Sequence, residues 1–277
     1  MDAERLDLYW FSGTGNTLLV AQAMAQEFAG HGWDARLWPM TETDPARIAP
    51  RGWVGLAFPV ACQTTYPLVW EFCQGLAPGG DAPIWMVDTM AGYSGAVVGP
   101  LREVVRGRGY RPIGAREIIM PSNLYPIHTS EARNRRLRAR GQERARAYAR
   151  DLLAGRARWG HVPLLPDLFR ALVGARWMWR WVAWTDSLLR VDRERCTRCG
   201  LCAELCPVGN IALKPWPTYQ GRCQQCMRCL SYCPEQALGL WGLPRIPYRA
   251  APASALLGAE DARPAETEHR RITSDGE

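Results

Sequence analysis

Eight of the chain's ten cysteines fall between Cys196 and Cys233. Cys196, Cys199, Cys202 and Cys206 are followed by Pro207, and Cys223, Cys226, Cys229 and Cys233 by Pro234. Both runs read C-x2-C-x2-C-x3-C-P, the second displaced from the first by 27 residues. The same displacement carries Arg195 onto Arg222, Ile211 onto Leu238 and Leu213 onto Leu240. The stretch is an internal duplication. The opening segment, Met1 to Tyr9, contains Asp2, Glu4, Arg5 and Asp7 and does not read as a secretory signal. A cytoplasmic location is therefore expected, which argues against a disulfide framework. Clustered cysteines in such a chain bind metal.

The spacing selects the kind of metal site. Two-residue gaps let three thiolates converge from one tight loop on a cube-shaped cluster, and the fourth cysteine, before proline, is carried to the other cluster. One [4Fe–4S] cluster is thus assigned to Cys196, Cys199, Cys202 and Cys233. The other is assigned to Cys223, Cys226, Cys229 and Cys206. Paired zinc sites are the alternative, but zinc ribbons pair C-x2-C units across a longer gap. With every ligand position filled, residues 191–242 resemble the bacterial two-cluster ferredoxins.

The first half of the chain reads differently. Apolar runs at Leu6–Phe11, Ala35–Trp38, Trp53–Val60, Ile84–Val87 and Ile113–Met120 alternate with amphipathic stretches at Asn16–Ala29, Pro67–Leu76 and Gly95–Gly109. That alternation predicts an α/β fold, a parallel sheet covered by helices on both faces. Ser130–Ala154 reads as a long Arg-rich helix stopped by Gly155. Residues 1–155 form the first expected domain, 156–190 a Trp/Arg-rich helical linker, 191–242 the cysteine domain, and 243–277 a disordered tail.

Strand Leu8–Phe11 runs into Ser12, Gly13, Thr14, Gly15, Asn16 and Thr17, and a helix pattern follows at once. Glycines permit a tight turn, and free N–H groups at the helix start, with three hydroxyls, make an anion site. No lysine follows, so this is not an ATP-hydrolysing loop, and G-x-G-x-x-G is absent. The string resembles the flavodoxin phosphate loop, which holds the monophosphate of FMN. That resemblance implies a flavodoxin-like doubly wound sheet with two more flavin-flanking loops. Their counterparts are Pro59–Tyr66, with Pro59, Val60 and Ala61, and Thr89–Gly95, with Thr89, Met90, Ala91 and Gly92. Tyr66 and Tyr93 are the aromatics available to the flavin. Cys62 and Cys73 are expected to be small buried thiols, with a redox role for Cys62 as the alternative.

Residues 131–150 carry arginines at 133, 135, 136, 138, 140, 144, 146 and 150 against Glu131 and Glu143, nearly the whole formal charge of +7. A solvated helix surface is the simpler reading. Functionally this face suits an acidic redox partner, and nucleic acid is not expected. Val173, Trp177, Trp181, Trp184 and Leu188 make an apolar stripe expected to pack in a core, with peripheral membrane contact as the alternative. No run of about 18 apolar residues suggests a transmembrane helix. The four histidines are scattered, and no nucleophile or general base is identified.

As a whole the chain resembles flavodoxin–ferredoxin fusions, the iron–sulfur flavoproteins. That resemblance implies an electron-transfer protein with one FMN and two [4Fe–4S] clusters, exchanging electrons with a redox partner. The alternatives are a flavin-dependent oxidoreductase reducing a small acceptor such as a quinone and, further off, a redox sensor.

Overall fold

The structure, a computed structural model, describes residues 4–62, 64–92, 97–123, 130–160, 188–240 and 247–257. In the first half the chain runs β1 (Arg5–Trp10), α1 (Asn16–Gly30), β2 (Asp34–Pro39), β3 (Trp53–Ala61), β4 (Thr64–Thr65), α2 (Pro67–Gly75), β5 (Pro83–Met90), α3 (Val98–Gly107), β6 (Arg111–Ile119) and α4 (Glu131–Leu153). Strands β2, β1, β3, β5 and β6 lie side by side in that order, all parallel, with β4 folded back on β3. This is the doubly wound order of the flavodoxin-like fold.

Alternation along the strands fills two cores. Leu6, Leu8 and Trp10 of β1, with Trp85 and Val87 of β5, pack under α1 and α4. Tyr9, Leu56, Phe58, Ile84 and Met86 point the other way and pack under α2 and α3. Because both faces are covered, these strands read as unbroken apolar runs. Helix α4 begins where Ser130 accepts a hydrogen bond from the Arg133 backbone N–H, and ends before Gly155 at φ 65°. The first unit continues past residue 155: Arg158 O accepts from Ala115 N at 3.2 Å, and Trp159 is buried with its ring N–H on Val98 O.

The cysteine-rich half is built twice. One half-motif is β7 (Leu189–Val191), a cysteine loop, α5 (Leu201–Glu204) and β8 (Ile211–Leu213). The other is β9 (Pro217–Tyr219), a cysteine loop, α6 (Arg228–Tyr232) and β10 (Leu238–Leu240). The duplication extends to the backbone. Left-handed φ occurs at Arg198 and Gln225, at Gly200 and Met227, and at Gly209 and Gln236, each pair 27 residues apart. Asn210 N–H bonds Cys206 Sγ at 3.1 Å, and its counterpart Ala237 N–H bonds Cys233 Sγ at 3.2 Å. The strands pair across the halves, β7 with β10 and β8 with β9, both antiparallel.

Two further expectations change. Residues 247–257 were expected to belong to a disordered tail; instead they pack, with Tyr248 and Leu256 buried and a short helix α7 (Ala253–Leu256). A few long-range contacts hold this segment, and no periodic pattern announces them. Cys62 was expected to be buried; it is exposed at φ 52°, whereas Cys73 is buried. The turn back from β3 into β4 carries Cys62 out of the core. Of the tryptophan stripe, residues 173–184 lie outside the described residues, as do Tyr93, His128, His161 and His269. Among the described residues no helix is long and apolar enough to cross a membrane.

Candidate functional site

At the carboxyl ends of β1, β3 and β5 the sheet opens into a cleft of about 330 Å³. Strand order reverses between β1 and β3, the place where such sheets bind ligands. Twelve of the thirteen residues expected around a flavin line it: Ser12, Gly13, Thr14, Asn16, Thr17, Pro59, Val60, Ala61, Thr89, Met90, Ala91 and Gly92. Gly15 is not among them, because its outer side lies against Ala251; a Cβ there would come within 2.5 Å of the Ala251 nitrogen, and φ is +101°.

The loop is held rigidly from behind. Ser12 Oγ accepts from Gly15 N–H at 3.0 Å, and Thr17 Oγ1 meets Thr89 Oγ1 at 2.8 Å. Asn16 has its side chain committed elsewhere: Nδ2 donates to Pro121 O at 2.8 Å, and Oδ1 accepts from Tyr248 Oη at 2.6 Å. Thr14 Oγ1 is buried without a hydrogen-bond partner. A buried hydroxyl is rarely left unsatisfied. Beside it the first N–H groups of α1 have no acceptor within the helix. An orphan hydroxyl and free N–H donors fit a phosphate.

Cys62 and Tyr66, in the expected Pro59–Tyr66 loop, line the cleft as well, but sequence reasoning missed the rest of the lining. Met120, Pro121, Ser122 and Asn123 come from the end of β6, and Gln224, Gln225 and Met227 come from the second cysteine loop. No local signal places a cysteine loop over a cleft 200 residues upstream. The nearest hint was glycine at position 13, where a Cβ would collide with the Cys226 carbonyl oxygen. Tyr66 is buried edge-on against Phe11, ring centroids 5.3 Å apart.

The eight clustered cysteines sort into two cavities. Cys206, Cys223, Cys226 and Cys229 line one, and Cys196, Cys199, Cys202 and Cys233 line the other. Each cavity takes three thiols from one run and the fourth from the other run, as the spacing predicted. Burial pushes the Cys202 thiol up to about 11 and raises Cys226 and Cys229 as well. Thiolates are costly there unless cationic iron offsets the charge, so the donor set fits an iron–sulfur group. Gln224, Gln225 and Met227 line both the cleft and the Cys206/Cys223/Cys226/Cys229 cavity.

Arg228 crosses this junction. It is 3% exposed; Nε donates to Ser12 O at 3.0 Å, NH1 to Leu205 O at 3.4 Å, and the guanidinium lies 5.1 Å from the Phe11 ring centroid. Burial lowers its pKa, opposed by the Cys226 thiol, then Tyr232 and the Cys206 thiol.

A family model described as "4Fe-4S binding domain" matches residues 189–212, which hold the first cysteine run. The chain is a flavodoxin-like domain fused to a 4Fe–4S binding domain. The fusion therefore holds at least one such cluster. No curated protein matches it. Among solved structures the α/β half is similar to a rubredoxin oxygen:oxidoreductase from Desulfovibrio gigas, at 19% identity and TM-score 0.39, covering 56% of this chain and 37% of that one. It is also similar to a Streptococcus pneumoniae TIGR4 flavodoxin, at 16% identity and TM-score 0.41, covering 55% and 99%. A Megasphaera elsdenii flavodoxin gives 19% identity and TM-score 0.39, covering 52% and 98%. The fusion thus spans just over a third of the length of the Desulfovibrio protein.

Proposed function

We propose that the fusion is an electron-transfer iron–sulfur flavoprotein holding an FMN in the cleft and a [4Fe–4S] cluster in each cysteine cavity. One observation carries the reading: Gln224, Gln225 and Met227 are a wall common to the cleft and one cysteine cavity. When bound, a flavin takes up electrons singly or in pairs while clusters pass them singly, so the pair would join two-electron to one-electron chemistry.

The chain's own residues supply position and environment. Thr14, Ser12 and the start of α1 would hold the phosphate. Thr89 to Gly92 and Pro59 to Ala61 would flank the ring, and the cluster-side wall would close the cleft over it. The N–H groups of Asn210, Gln225 and Ala237 bond Cys206, Cys223 and Cys233 Sγ at 3.1, 3.3 and 3.2 Å. Such bonds raise cluster potentials. Cys199 is exposed, so the cavity farther from the cleft would be the point of exchange with a partner. An acidic redox protein docking on the outer face of α4 is the proposed partner.

The test is the iron, sulfide and flavin content of anaerobically purified protein. About eight irons, eight sulfides and one FMN per chain are expected. Four irons would remove the second cluster; eight irons without flavin, even after reconstitution, would remove the flavin. Saturable multiple turnover with a quinone and no partner protein would favour a small-molecule reductase instead.

A further inference from the structure

Arg228 is a buried cation whose hydrogen bonds go to carbonyl oxygens of Ser12 and Leu205, with no ion pair to a carboxylate among the described residues. Burying a guanidinium without a counter-charge is costly. Glu42 exerts a smaller pull than Cys226, Tyr232 or Cys206. Arg228 itself lines the cavity of Cys206, Cys223, Cys226 and Cys229, and the groups that act most on its charge are the Cys226 thiol, then Tyr232, then the Cys206 thiol. The Arg228 backbone N–H also bonds Cys226. A thiolate-bound cluster in that cavity would be the anion that completes this arrangement.

The duplication supplies an internal control. Twenty-seven residues earlier the corresponding residue is Leu201, partly buried and uncharged. The cations near the first cysteine run, Arg195 and Arg198, are exposed and screened by water. Of two half-motifs alike in ligand spacing, backbone conformation and N–H···S bonding, only the one beside the cleft carries a desolvated positive charge.

We propose that Arg228 tunes the cluster held by Cys206, Cys223, Cys226 and Cys229, raising its reduction potential so that an electron from the cleft is drawn into it. The inference rests on the two-cluster reading above. Reduction adds one electron and so one negative charge to the cluster, and a fixed cation in a low-dielectric setting stabilises that charge. Arg228 is a positioning and electrostatic residue. Its contacts to Ser12 and Leu205 would equally fit a mere staple between the two halves, so the experiment must separate the two roles.

The experiment is a redox titration of the intact holoprotein with dithionite, followed by electron paramagnetic resonance. Signals are assigned with Cys206→Ser, which lacks one ligand of this cluster. Arg228→Gln removes the charge but keeps a hydrogen-bonding amide; Arg228→Lys keeps the charge and loses the fork. In Arg228→Gln the oxidised-to-reduced ratio of this cluster at fixed ambient potential should rise by roughly tenfold, a downward shift of about 59 mV for one electron. The other cluster should stay put, and Arg228→Lys should restore most of the shift. If Arg228→Gln does not fold, Arg228→Met provides the neutral side chain. A lowered melting temperature with an unchanged potential would reduce Arg228 to a staple and overturn the proposal, as would equal shifts in both clusters. Four irons in the unmodified protein would instead overturn the two-cluster reading itself.

Discussion

Asp88 stands at the end of β5, one residue before the cleft. It is fully buried, neither carboxyl oxygen has a hydrogen-bond partner, and Glu117 lies beside it in the register of β6. Burial and then Glu117 push its pKa well above the ordinary carboxylate range. The folded chain therefore holds a proton that the unfolded chain releases near pH 3.9. Stability is greatest below that pH and falls as pH rises toward the elevated folded value. Asp88→Asn removes the titration. It is expected to be more stable than the parent at pH 8, by about 1 kcal/mol or more, and to show no advantage near pH 4. Urea midpoints across that range check this; parallel curves would disprove it. Gly13 makes a steric prediction instead. Gly13→Ala drives a methyl into the Cys226 carbonyl oxygen. A loss of about 1–3 kcal/mol is expected from overpacking, together with loss of flavin, since the loop and the wall must part. Thermal melting and absorbance at flavin wavelengths read both.

At the scale of elements, residues 247–257 strap the phosphate loop to the cysteine domain. Ala250 N–H bonds Thr14 O at 2.7 Å, and Tyr232 Oη donates to Ala251 O at 2.7 Å. Tyr248 reaches Asn16, and Arg249 reaches the Ser231 carbonyl and lies over the Tyr232 ring. Tyr248→Phe leaves the Asn16 oxygen without its donor and should cost about 1–3 kcal/mol. Flavin should dissociate faster, because Asn16 begins α1. Stopped-flow apoprotein exchange measures it, and an unchanged rate would confine the strap to stability. This strap was the part of the fold least legible beforehand. The core strands announced themselves because they are buried on both faces, and α1 and α4 because one side of each is apolar. The strap is Pro- and Ala-rich without period, and its partners in the phosphate loop, Thr14 and Asn16, lie more than 200 residues upstream. The crossed grouping of the cysteines in two cavities was legible because the spacing carries the fourth cysteine of each run away from the other three. Leu205 and Tyr232, which enter the α1/α4 core, and Gln224, Gln225 and Met227, which cover the cleft, were not. They belong to contacts between halves, which neither half's local pattern encodes.

At the scale of the whole molecule the two halves share a core and a wall, while the net charge is gathered on one helix. Within α4, Arg138 pairs with Glu131, and Arg146 and Arg150 with Glu143. Arg133, Arg135, Arg136, Arg140 and Arg144 are exposed and form no ion pair among the described residues. Exposed pairs of this kind add little to stability. A row of uncompensated arginines therefore makes its difference in association, where an oppositely charged partner is steered at long range. With an acidic ferredoxin as probe, electron transfer into the fusion should slow as salt rises, because screening sets in beyond about 10 Å at 0.1 M. Arg135→Glu with Arg136→Glu should cut the association rate on the order of tenfold at low salt and flatten the salt dependence, with melting temperature and reduction by a small neutral dye unaltered. Duplex DNA at low salt is the matching control: binding that falls steeply with salt would reassign the face to nucleic acid. A rate indifferent to both salt and charge reversal would mean that partners approach elsewhere, with the exposed Cys199 end of the cysteine domain as the next surface to alter.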